Sequence, residues 1–513
     1  MLITLVFATE GAHDAMSAGT GKSGVPVPVW TRDVKIIDKP PARLTVLGAK
    51  EKGKFAPYSV ILPERTGTVP SLSLPLQVNL VPKFTFRRFG NEKRVTISRD
   101  GDALSVRCTP GLESAGAILL VAGHHFPRGM RGTMTFAGEE TGSFEVAVTE
   151  KGHEANGFVK LSAAATNLVE TVIPSETWQR LKSPEEFVIA CPTVASQLTI
   201  TRLEIQPETH PVSRPAGTWI WNVSKWLGRG DQLITELRRF DIGEVFIQVQ
   251  IAQGRILDRP ALVELIETLS AAGIRVNTVE GEGTMATPEG RLIAIERARL
   301  LAGLKAETGG KILTFQYDIE PYVIPAFESD PDAWWAGWGQ TLTELAAAVK
   351  EPVSAVVPLW LLRHPAAGEA LARARKSIGR LVVMSYRTTS GEVEEIAEEW
   401  LDWGRCNAVP VAIAVENGFV PGEYARHYLR AERGELVLDV SGGESHVLIF
   451  SEPVLGDGQR LAYSFTGESK FESERISFLS DREKLNKVRN RLQANLSAWE
   501  TFDGLLIHEV IPQ

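Results

Sequence analysis

From Thr218 onwards the sequence repeats one unit, in which a short apolar run is followed by a polar loop and a helical pattern. Such runs are typical of parallel strands buried on both faces, and parallel strands need crossover connections that are usually helices. Eight strands are predicted, beginning near Trp219, Val245, Ile274, Ile312, Ser354, Leu381, Val411 and Gly504. Eight strand–helix units of roughly 25–40 residues predict a closed (β/α)8 TIM barrel over residues 218–513.

The helix expected after the second strand shows the local signals well. Asp258 stands before a proline in the first turn, and Gly273 follows the last turn. Between them lies an apolar stripe made of Leu262, Leu265, Ile266 and Leu269. An open doubly wound sheet is the competing fold, but it would normally carry a glycine-rich phosphate loop after its first strand, and residues 221–225 are not one.

The interval between the seventh and eighth strands is longer than the others. Its first part, Tyr424–Leu429, reads as helical, and two strand-like runs follow at Leu436–Val440 and His446–Phe450. We therefore predict a β-hairpin insertion over about residues 434–475, followed by a charged helix around Asp481–Leu496.

The N-terminal part has a different pattern. Short runs with a period of two, separated by Gly, Pro, Asn and Asp, predict an all-β domain over residues 31–209, a β-sandwich. Its layout is similar to the jelly-roll modules that accompany carbohydrate enzymes, and residues 210–217 read as a linker. Residues 1–30 are expected to be a signal-peptide remnant or disordered, because Leu2–Ala8 resembles the apolar part of a secretory signal although no positive charge precedes it. Export to the periplasm or the outside is the expectation.

Composition excludes several classes of partner. A net charge of −8 without a cluster of Lys and Arg among aromatic residues argues against nucleic acid, and no run approaches the ~20 apolar residues of a membrane span. The three cysteines lack metal-ligand spacing and read as small buried thiols, although a Cys108–Cys191 bridge is open. His124-His125 has no third ligand at a suitable spacing, so neither a metal nor a cofactor is expected. The oligomeric state cannot be predicted.

Carboxylates follow two of the predicted barrel strands. Asp318 and Glu320 end the fourth strand, and Glu416 ends the seventh. Active sites of such barrels lie at the C-terminal ends of the strands. Two opposed carboxylates without a metal are the usual catalytic residues of glycoside hydrolysis. One acid protonates the leaving oxygen, and the other attacks the sugar or activates water. We therefore predict a glycosidase that acts on an oligo- or polysaccharide.

The other strand ends and neighbouring loops offer polar and aromatic side chains. Flat rings hold the apolar faces of sugars, whereas a phosphate site would require Lys, Arg and backbone donors. The expected substrate contacts are Trp221, Asn222, Gln250, Glu280, Trp334, Trp360, Arg387, Asn417 and His508.

Two motifs resemble those of the retaining glycosidase clan that has (β/α)8 barrels and catalytic glutamates on strands four and seven. Glu320-Pro321 is similar to its acid/base motif, and Glu416-Asn417-Gly418 to its nucleophile motif. The resemblance implies double displacement with Glu320 as acid/base and Glu416 as nucleophile, and with Tyr386 beside the nucleophile. Ile319 stands where the family has an Asn that contacts the sugar.

A second resemblance involves the same strand. Asp318-Ile319-Glu320 and Met384-Ser385-Tyr386 look like the Asp-x-Glu and Met-x-Tyr motifs of chitinase-type barrels. This resemblance implies that Glu320 is the acid and that the acetamido group of the substrate is the nucleophile, held by Asp318 and Tyr386. Glu416 would then only support the site. A non-catalytic polysaccharide-binding or matrix-assembly protein on a decayed barrel is a third interpretation, and the sequence leaves all three open.

Overall fold

The structure is a computed structural model that describes residues 27–34, 40–51, 54–61, 72–150, 159–160, 168–181, 184–208, 214–441 and 445–511. Residues 1–26 of the expected signal remnant and residues 210–213 of the expected linker lie outside the described residues. None of the described helices is long and apolar enough to cross a membrane.

Eight parallel strands form a closed barrel, as predicted. In chain order they are β1 (Ala216–Ile220), β2 (Ile242–Gln248), β3 (Arg275–Glu280), β4 (Ile312–Tyr317), β5 (Val353–Pro358), β6 (Ile378–Met384), β7 (Val411–Glu416) and β8 (Phe502–His508). Each strand pairs with the next, and β8 pairs with β1. The connecting helices are Gly230–Arg239, Arg259–Ala271, Pro288–Glu307, Pro331–Val349, Pro365–Ala374, Ser390–Asn407 and Arg482–Leu496.

The helix Arg259–Ala271 confirms its sequence signals in most respects. The four residues of the predicted apolar stripe are buried, because that face packs on the barrel. Gly273 ends the helix with φ of +80°, a conformation that glycine adopts without strain. Asp258 precedes the helix, but its side chain makes no capping hydrogen bond.

Charged side chains close the N-terminal end of the barrel. Glu244 of β2 is 1% exposed and ion-paired with Arg380 of β6 at 3.1 Å and Arg275 of β3 at 3.4 Å. Arg380 also contacts Asp503 of β8 at 2.8 Å, and Asp503 binds Arg214 at 2.7 Å. Strands two, three, six and eight are therefore joined at this end by opposite charges.

The long interval after β7 does not form an isolated hairpin. Its strands combine with the first described strands in one seven-stranded sheet. The order is Trp30–Val34, Ser445–Leu455, Arg433–Asp439, Arg460–Phe471, Glu423–Arg430, Arg43–Glu51 and Lys54–Ile61. Tyr424–Leu429, predicted to be helical, is therefore part of a strand, because its backbone pairs with strands on both sides. Leu47, Ala425 and Phe471 of this sheet belong to one buried cluster with Tyr386 and other residues of the barrel interior.

The described strands between residues 85 and 207 form two five-stranded antiparallel sheets. One has the order Leu168–Pro174, Gly132–Thr141, Ser196–Pro207, Ala103–Cys108, Val95–Asp100, and the other Val159–Lys160, Glu145–Glu150, Pro184–Ala190, Ala115–Leu120, Thr85–Gly90. Phe136 of the first sheet contacts Phe187 of the second, with ring centroids 5.6 Å apart. A jelly-roll sandwich over the whole of residues 31–209 is not confirmed, because the strands between Trp30 and Ile61 pair elsewhere.

A disulfide joins Cys108 to Cys191, so two of the three cysteines are not the free thiols that we expected, and Cys406 is exposed.

The two five-stranded sheets, called here the two-sheet region, pack on the outside of the barrel. Arg128 forms an ion pair with Asp402 at 2.5 Å, and the backbone of Arg131 donates to the carbonyl of Ala498 at 2.8 Å.

The remaining elements are short. Two-stranded sheets pair Leu72–Ser73 with His124–His125 and Ile251–Ala252 with Arg255–Ile256, and short α-helices span Glu176–Gln179 and Ser473–Ile476. The 3-10 helices are Val81–Lys83, Glu92–Arg94, Val223–Trp226, Gly283–Ala286, Pro321–Val323, Pro325–Ser329, Leu361–Arg363 and Arg375–Ser377.

Candidate active site at the barrel mouth

The C-terminal ends of five barrel strands bring six of the predicted site residues together. His508 after β8 links this group, because its ring contacts Trp221, Tyr386 and Glu416 and its charge acts on Asp318. Asp318 in turn acts electrostatically on Glu320. The six residues are Trp221, Asp318, Glu320, Tyr386, Glu416 and His508.

Glu320 holds a proton at neutral pH. Burial, followed by the negative charge of Asp318, raises the pKa of Glu320 to about 8, and a hydrogen bond from the Tyr322 hydroxyl to Oε1 lowers it only in part. The residue as a whole is partly exposed. A protonated carboxyl at the end of a barrel strand is suited to donate a proton to a bound ligand.

Asp318 and Glu320 form a couple of interacting carboxyls, and Asp318 is its ionised member. Burial raises its pKa to about 6, and the positive charge of His508 opposes that rise. Its Oδ1 atom is buried and accepts no hydrogen bond from the described residues. Within the described chain, no Lys or Arg forms an ion pair with Asp318 or Glu320. The couple therefore shares one negative charge at neutral pH and offers an unused acceptor.

Glu416 has a different environment. Its side chain is fully buried, and both carboxylate oxygens already accept hydrogen bonds. The backbone N–H of Gly418 donates to Oε1 at 2.6 Å, and His508 Nδ1 donates to Oε2 at 2.7 Å. A side chain at position 418 would meet Glu509, because a Cβ there would fall 1.9 Å from Oε2 of Glu509. Glycine thus leaves room for the Glu509 side chain beside the turn that binds the Glu416 carboxylate.

His508 is 6% exposed and lies between three elements. Its Nε2 accepts a hydrogen bond from Trp221 Nε1 at 2.8 Å, and Tyr386 stacks on the imidazole with centroids 6.4 Å apart. Burial lowers the pKa of His508, but the hydrogen bond to Glu416 and the nearby carboxylates outweigh burial, so the net shift is upward.

Tyr386 is 6% exposed and keeps its hydroxyl proton. Burial and the negative charge of Glu416, with smaller contributions from Asp318 and Glu320, raise its pKa well above the ordinary value for tyrosine. It is therefore a neutral hydrogen-bond donor at the mouth.

Glu280 does not lie where a rim contact was expected. It is 2% exposed and ion-paired with Arg297 at 2.5 Å. Burial raises the pKa of Glu280 to about 7, although Arg297 lowers it. Its neighbour Val279 belongs to the cluster inside the barrel, and alternate residues of a strand point to opposite faces, so Glu280 faces the helix layer.

Two more predicted substrate contacts are buried. Trp360 is 5% exposed and packs edge-on against Tyr322 at 5.0 Å, so its ring supports the residue that binds Glu320. Arg387 is 8% exposed and donates to the carbonyl of Tyr386 at 2.7 Å. Neither presents an open surface to a sugar.

The remaining predicted contacts vary in exposure. Asn417 is 4% exposed, and its side chain donates to the carbonyl of Glu509 at 3.3 Å, so it holds the turn after β7. Trp334 is partly exposed and donates from Nε1 to the carbonyl of Ala326 at 3.2 Å. Asn222 is exposed and Gln250 is partly exposed.

Sequence reasoning missed two residues of the mouth. Tyr322 donates to Glu320, and its position two residues after that acid was the available signal. Phe419 follows the turn after β7 and is 79% exposed, although the next residue, Val420, is 1% exposed. An aromatic residue three positions after a strand-end carboxylate is the sequence signal that was available for it.

No protein-family model and no curated protein matches this chain. Among solved structures, it is similar to the GH18 chitinase ChiB from the chitin utilization locus of Flavobacterium johnsoniae, at 11% identity over 58% of this chain and 88% of that chain, with a TM-score of 0.29. It is also similar to a family 29 carbohydrate-binding module at 15% identity, over 24% of this chain and 77% of the module, with a TM-score of 0.19. Scores this low support no statement about function.

Proposed function

We propose that the protein is a glycoside hydrolase in which Glu320 is the general acid. The observation that carries this proposal is the couple of Asp318 and Glu320, in which burial and a neighbouring charge raise the pKa of Glu320 to about 8. Two carboxyls in unlike protonation states at the mouth of a barrel match the acid and the anion that glycoside cleavage needs.

The surroundings of the couple favour the substrate-assisted route over double displacement. Glu320 gives its proton to the leaving glycosidic oxygen, and the carbonyl oxygen of a substrate acetamido group attacks the anomeric carbon as that bond breaks. Asp318 Oδ1, which lacks a partner among the described residues, accepts the acetamido N–H, and the neutral Tyr386 hydroxyl donates to the acetamido oxygen. Water then opens the cyclic intermediate with Glu320 as base, which restores its proton.

Double displacement is the second candidate. It requires Glu416 to attack the sugar, and the position of this residue at the end of β7 is the feature in its favour. Both oxygens of Glu416 are hydrogen-bonded and the side chain has no exposed surface, so a nucleophilic role would require this turn to open. The substrate-assisted route needs no such change, and we prefer it.

The proposed substrate is therefore an oligo- or polysaccharide of N-acetylated sugars. Trp221 and the exposed ring of Phe419 are available for stacking on sugar faces. The Cys108–Cys191 disulfide supports export, because disulfides persist mainly in oxidising compartments.

The test is a screen of the purified protein against N-acetylated oligosaccharides, their deacetylated counterparts, and glucan, mannan and xylan. We expect cleavage of the N-acetylated series only. Glu320→Gln should lower kcat by about 10²–10⁴ with binding retained, because the amide keeps the shape and lacks the proton. Glu369→Gln, at an exposed position of the helix Pro365–Ala374, is the matched control.

Three results would contradict parts of the proposal. Binding without cleavage of any sugar would favour the non-catalytic alternative. An unchanged kcat for Glu320→Gln would exclude this residue as the acid. Equal cleavage of deacetylated substrates would reject the acetamido nucleophile and return Glu416 to that role.

A further inference from the structure

Tyr322 is a buried tyrosine whose hydroxyl binds the proposed acid directly. It is 7% exposed and lies in the 3-10 helix Pro321–Val323, which follows Glu320 at the end of β4. Its hydroxyl donates to Oε1 of Glu320. Among the residues that the structure describes, none forms a hydrogen bond with Oε2 of Glu320. The two oxygens of this carboxyl therefore have different surroundings.

The Tyr322 ring is fixed by two indoles. Trp360, which follows β5, meets it edge-on with ring centroids 5.0 Å apart, and Trp335, on the helix after β4, lies 6.1 Å away. Both indoles are at most 5% exposed, so they form a rigid wall behind the tyrosine. The helical turn and these two rings together hold the hydroxyl against Glu320.

This contact decides which oxygen of neutral Glu320 carries the proton. A hydroxyl donates to a lone pair, and in a protonated carboxyl the C=O oxygen is the better acceptor while the O–H oxygen is the donor. Because Oε1 accepts from Tyr322, the proton lies on Oε2. Oε2 is also the oxygen that no described side chain occupies, so its proton is available to a ligand.

The same hydroxyl is suited to the carboxylate that proton transfer leaves behind. As the glycosidic C–O bond breaks, the Oε2 proton passes to the leaving oxygen, and Glu320 becomes negative. A hydrogen bond to an ionised acceptor is roughly twice as strong as one to a neutral acceptor. The Tyr322 bond therefore strengthens during this step, which lowers the barrier. Burial and the charge of Glu320 raise the pKa of Tyr322 well above its ordinary value, so the hydroxyl remains a donor.

We propose that Tyr322 is the positioning residue of the general acid: its hydroxyl places the transferable proton on Oε2 of Glu320 and stabilises the carboxylate that remains after transfer. The rate effects below rest on the proposed hydrolase function. The effect of the hydroxyl on the titration of Glu320 does not.

The first measurement is NMR titration of the protein labelled at its glutamate carboxyl carbons, with Glu320→Gln used to assign the signal. A hydrogen bond to the ionised form of an acid lowers its pKa, so the pKa of Glu320 should rise in Tyr322→Phe. Asp318 and Tyr386, the other titratable groups that face Glu320, are unchanged in this variant.

Tyr317→Phe is the matched control. Tyr317 is also a buried tyrosine at the end of β4, but its hydroxyl has no hydrogen-bond partner among the described residues. Its substitution should leave the titration of Glu320 unchanged.

The second measurement is the pH dependence of kcat and KM on the substrate that the screen identifies. The alkaline limb of the kcat/KM profile should move to higher pH in Tyr322→Phe, because the acid keeps its proton to higher pH. At the pH optimum we expect kcat to fall about fivefold to tenfold with little change in KM, since the lost bond is stronger to the carboxylate than to the neutral acid. Tyr317→Phe should match wild type in both respects.

The outcomes separate the role of Tyr322 from the hydrolase proposal. An unchanged Glu320 titration in Tyr322→Phe would overturn the positioning role even in an active enzyme, and absence of any cleaved substrate would count against the hydrolase alone. A lower kcat with an unmoved alkaline limb would show that Tyr322 only supports the fold, which would also overturn the proposal. If Tyr322→Phe does not fold, a ring-fluorinated tyrosine placed at position 322 is a stronger donor of nearly the same size. It should lower the pKa of Glu320, and an unmoved pKa would reject the proposal.

Discussion

At the N-terminal end of the barrel Glu244 lies among arginines, whereas at the C-terminal end Asp318 and Glu320 lie side by side without one. Glu244 and Arg380 are both at most 5% exposed, so the barrel buries charge at both ends. At one end opposite charges satisfy each other, and at the other like charges compete. The ion pairs around Glu244 stabilise the fold. The contact between Asp318 and Glu320 keeps one carboxyl protonated at a pH where an isolated carboxyl would be ionised.

The largest expected effect is on stability at the N-terminal end. Arg380→Met removes the partner of Glu244 and one partner of Asp503, and breaking a buried pair costs about 3–5 kcal/mol. Denaturant unfolding should show this loss, whereas the kcat of the surviving folded protein should be unchanged. The control Arg373→Met, which breaks an exposed pair with Glu369, should change the free energy of unfolding by less than about 0.5 kcal/mol. A loss of activity in Arg380→Met without a loss of stability would show that these ion pairs serve activity and not stability.

A smaller effect is expected when the like-charge contact at the mouth is removed. Asp318→Asn takes away a charge that raises the pKa of Glu320, so that pKa should fall from about 8. Asp318→Asn should also lower activity, because the proposed reaction uses Asp318. The residual activity still requires protonated Glu320, and the alkaline limb of its kcat/KM profile should therefore move to lower pH. Asp332→Asn, on an exposed position of the helix after β4, should leave the limb in place. An unmoved limb in Asp318→Asn would mean that the two carboxyls do not interact.

The couple of Asp318 and Glu320 should also affect how the free energy of unfolding depends on pH. The pKa of Glu320 is raised from 4.5 to about 8 on folding, so the contribution of this group to the free energy of unfolding is fully present below about pH 4.5 and is lost as the pH rises through 8. Glu320→Gln removes this decline. Its free energy of unfolding should exceed that of wild type at pH 8.5 and match it at pH 4. Parallel curves for the two proteins would show that Glu320 carries no raised pKa.

The smallest effect concerns the exposed ring beside the buried carboxylate of β7. Phe419→Ala should raise KM by about fivefold with kcat unchanged, because one ring contact is worth about 1 kcal/mol. Phe419→Trp should retain the wild-type KM. Equal KM values for all three proteins would assign no substrate contact to this ring.

The sequence predicted the barrel because buried parallel strands are continuous apolar runs, and each run is visible without knowing its partner. It did not predict the seven-stranded sheet, since period-two alternation identifies a strand but not its neighbours. Thr45 and His427 form a side-chain hydrogen bond across 382 residues of chain, and no local pattern contains that pairing. Tyr424–Leu429 was misread for the same reason, because its pairing comes from both sides of a sheet assembled at long range.

The site was predictable to the level of strand ends. Asp318 and Glu320 were identified because a carboxylate after a buried run must lie at the mouth. Glu280 also follows such a run, yet it faces the helices, since one step along a strand reverses the side of the sheet. The hydrogen bonds that occupy Glu416 depend on the turn at Gly418 and on a residue of the next strand, so they could not be predicted from the motif.

The strands that pair in the seven-stranded sheet are made at very different times during translation. The strand Arg43–Glu51 leaves the ribosome early, but its partner Glu423–Arg430 emerges only after nearly the whole barrel has been translated. At about 5–20 residues per second, the 382 residues between Thr45 and His427 take roughly 20–80 s. During that time the two-sheet region can fold, while the first strands have an open edge that another chain can pair with. The buried cluster that Leu47 and Ala425 share with the barrel interior therefore forms only after both strands have been made.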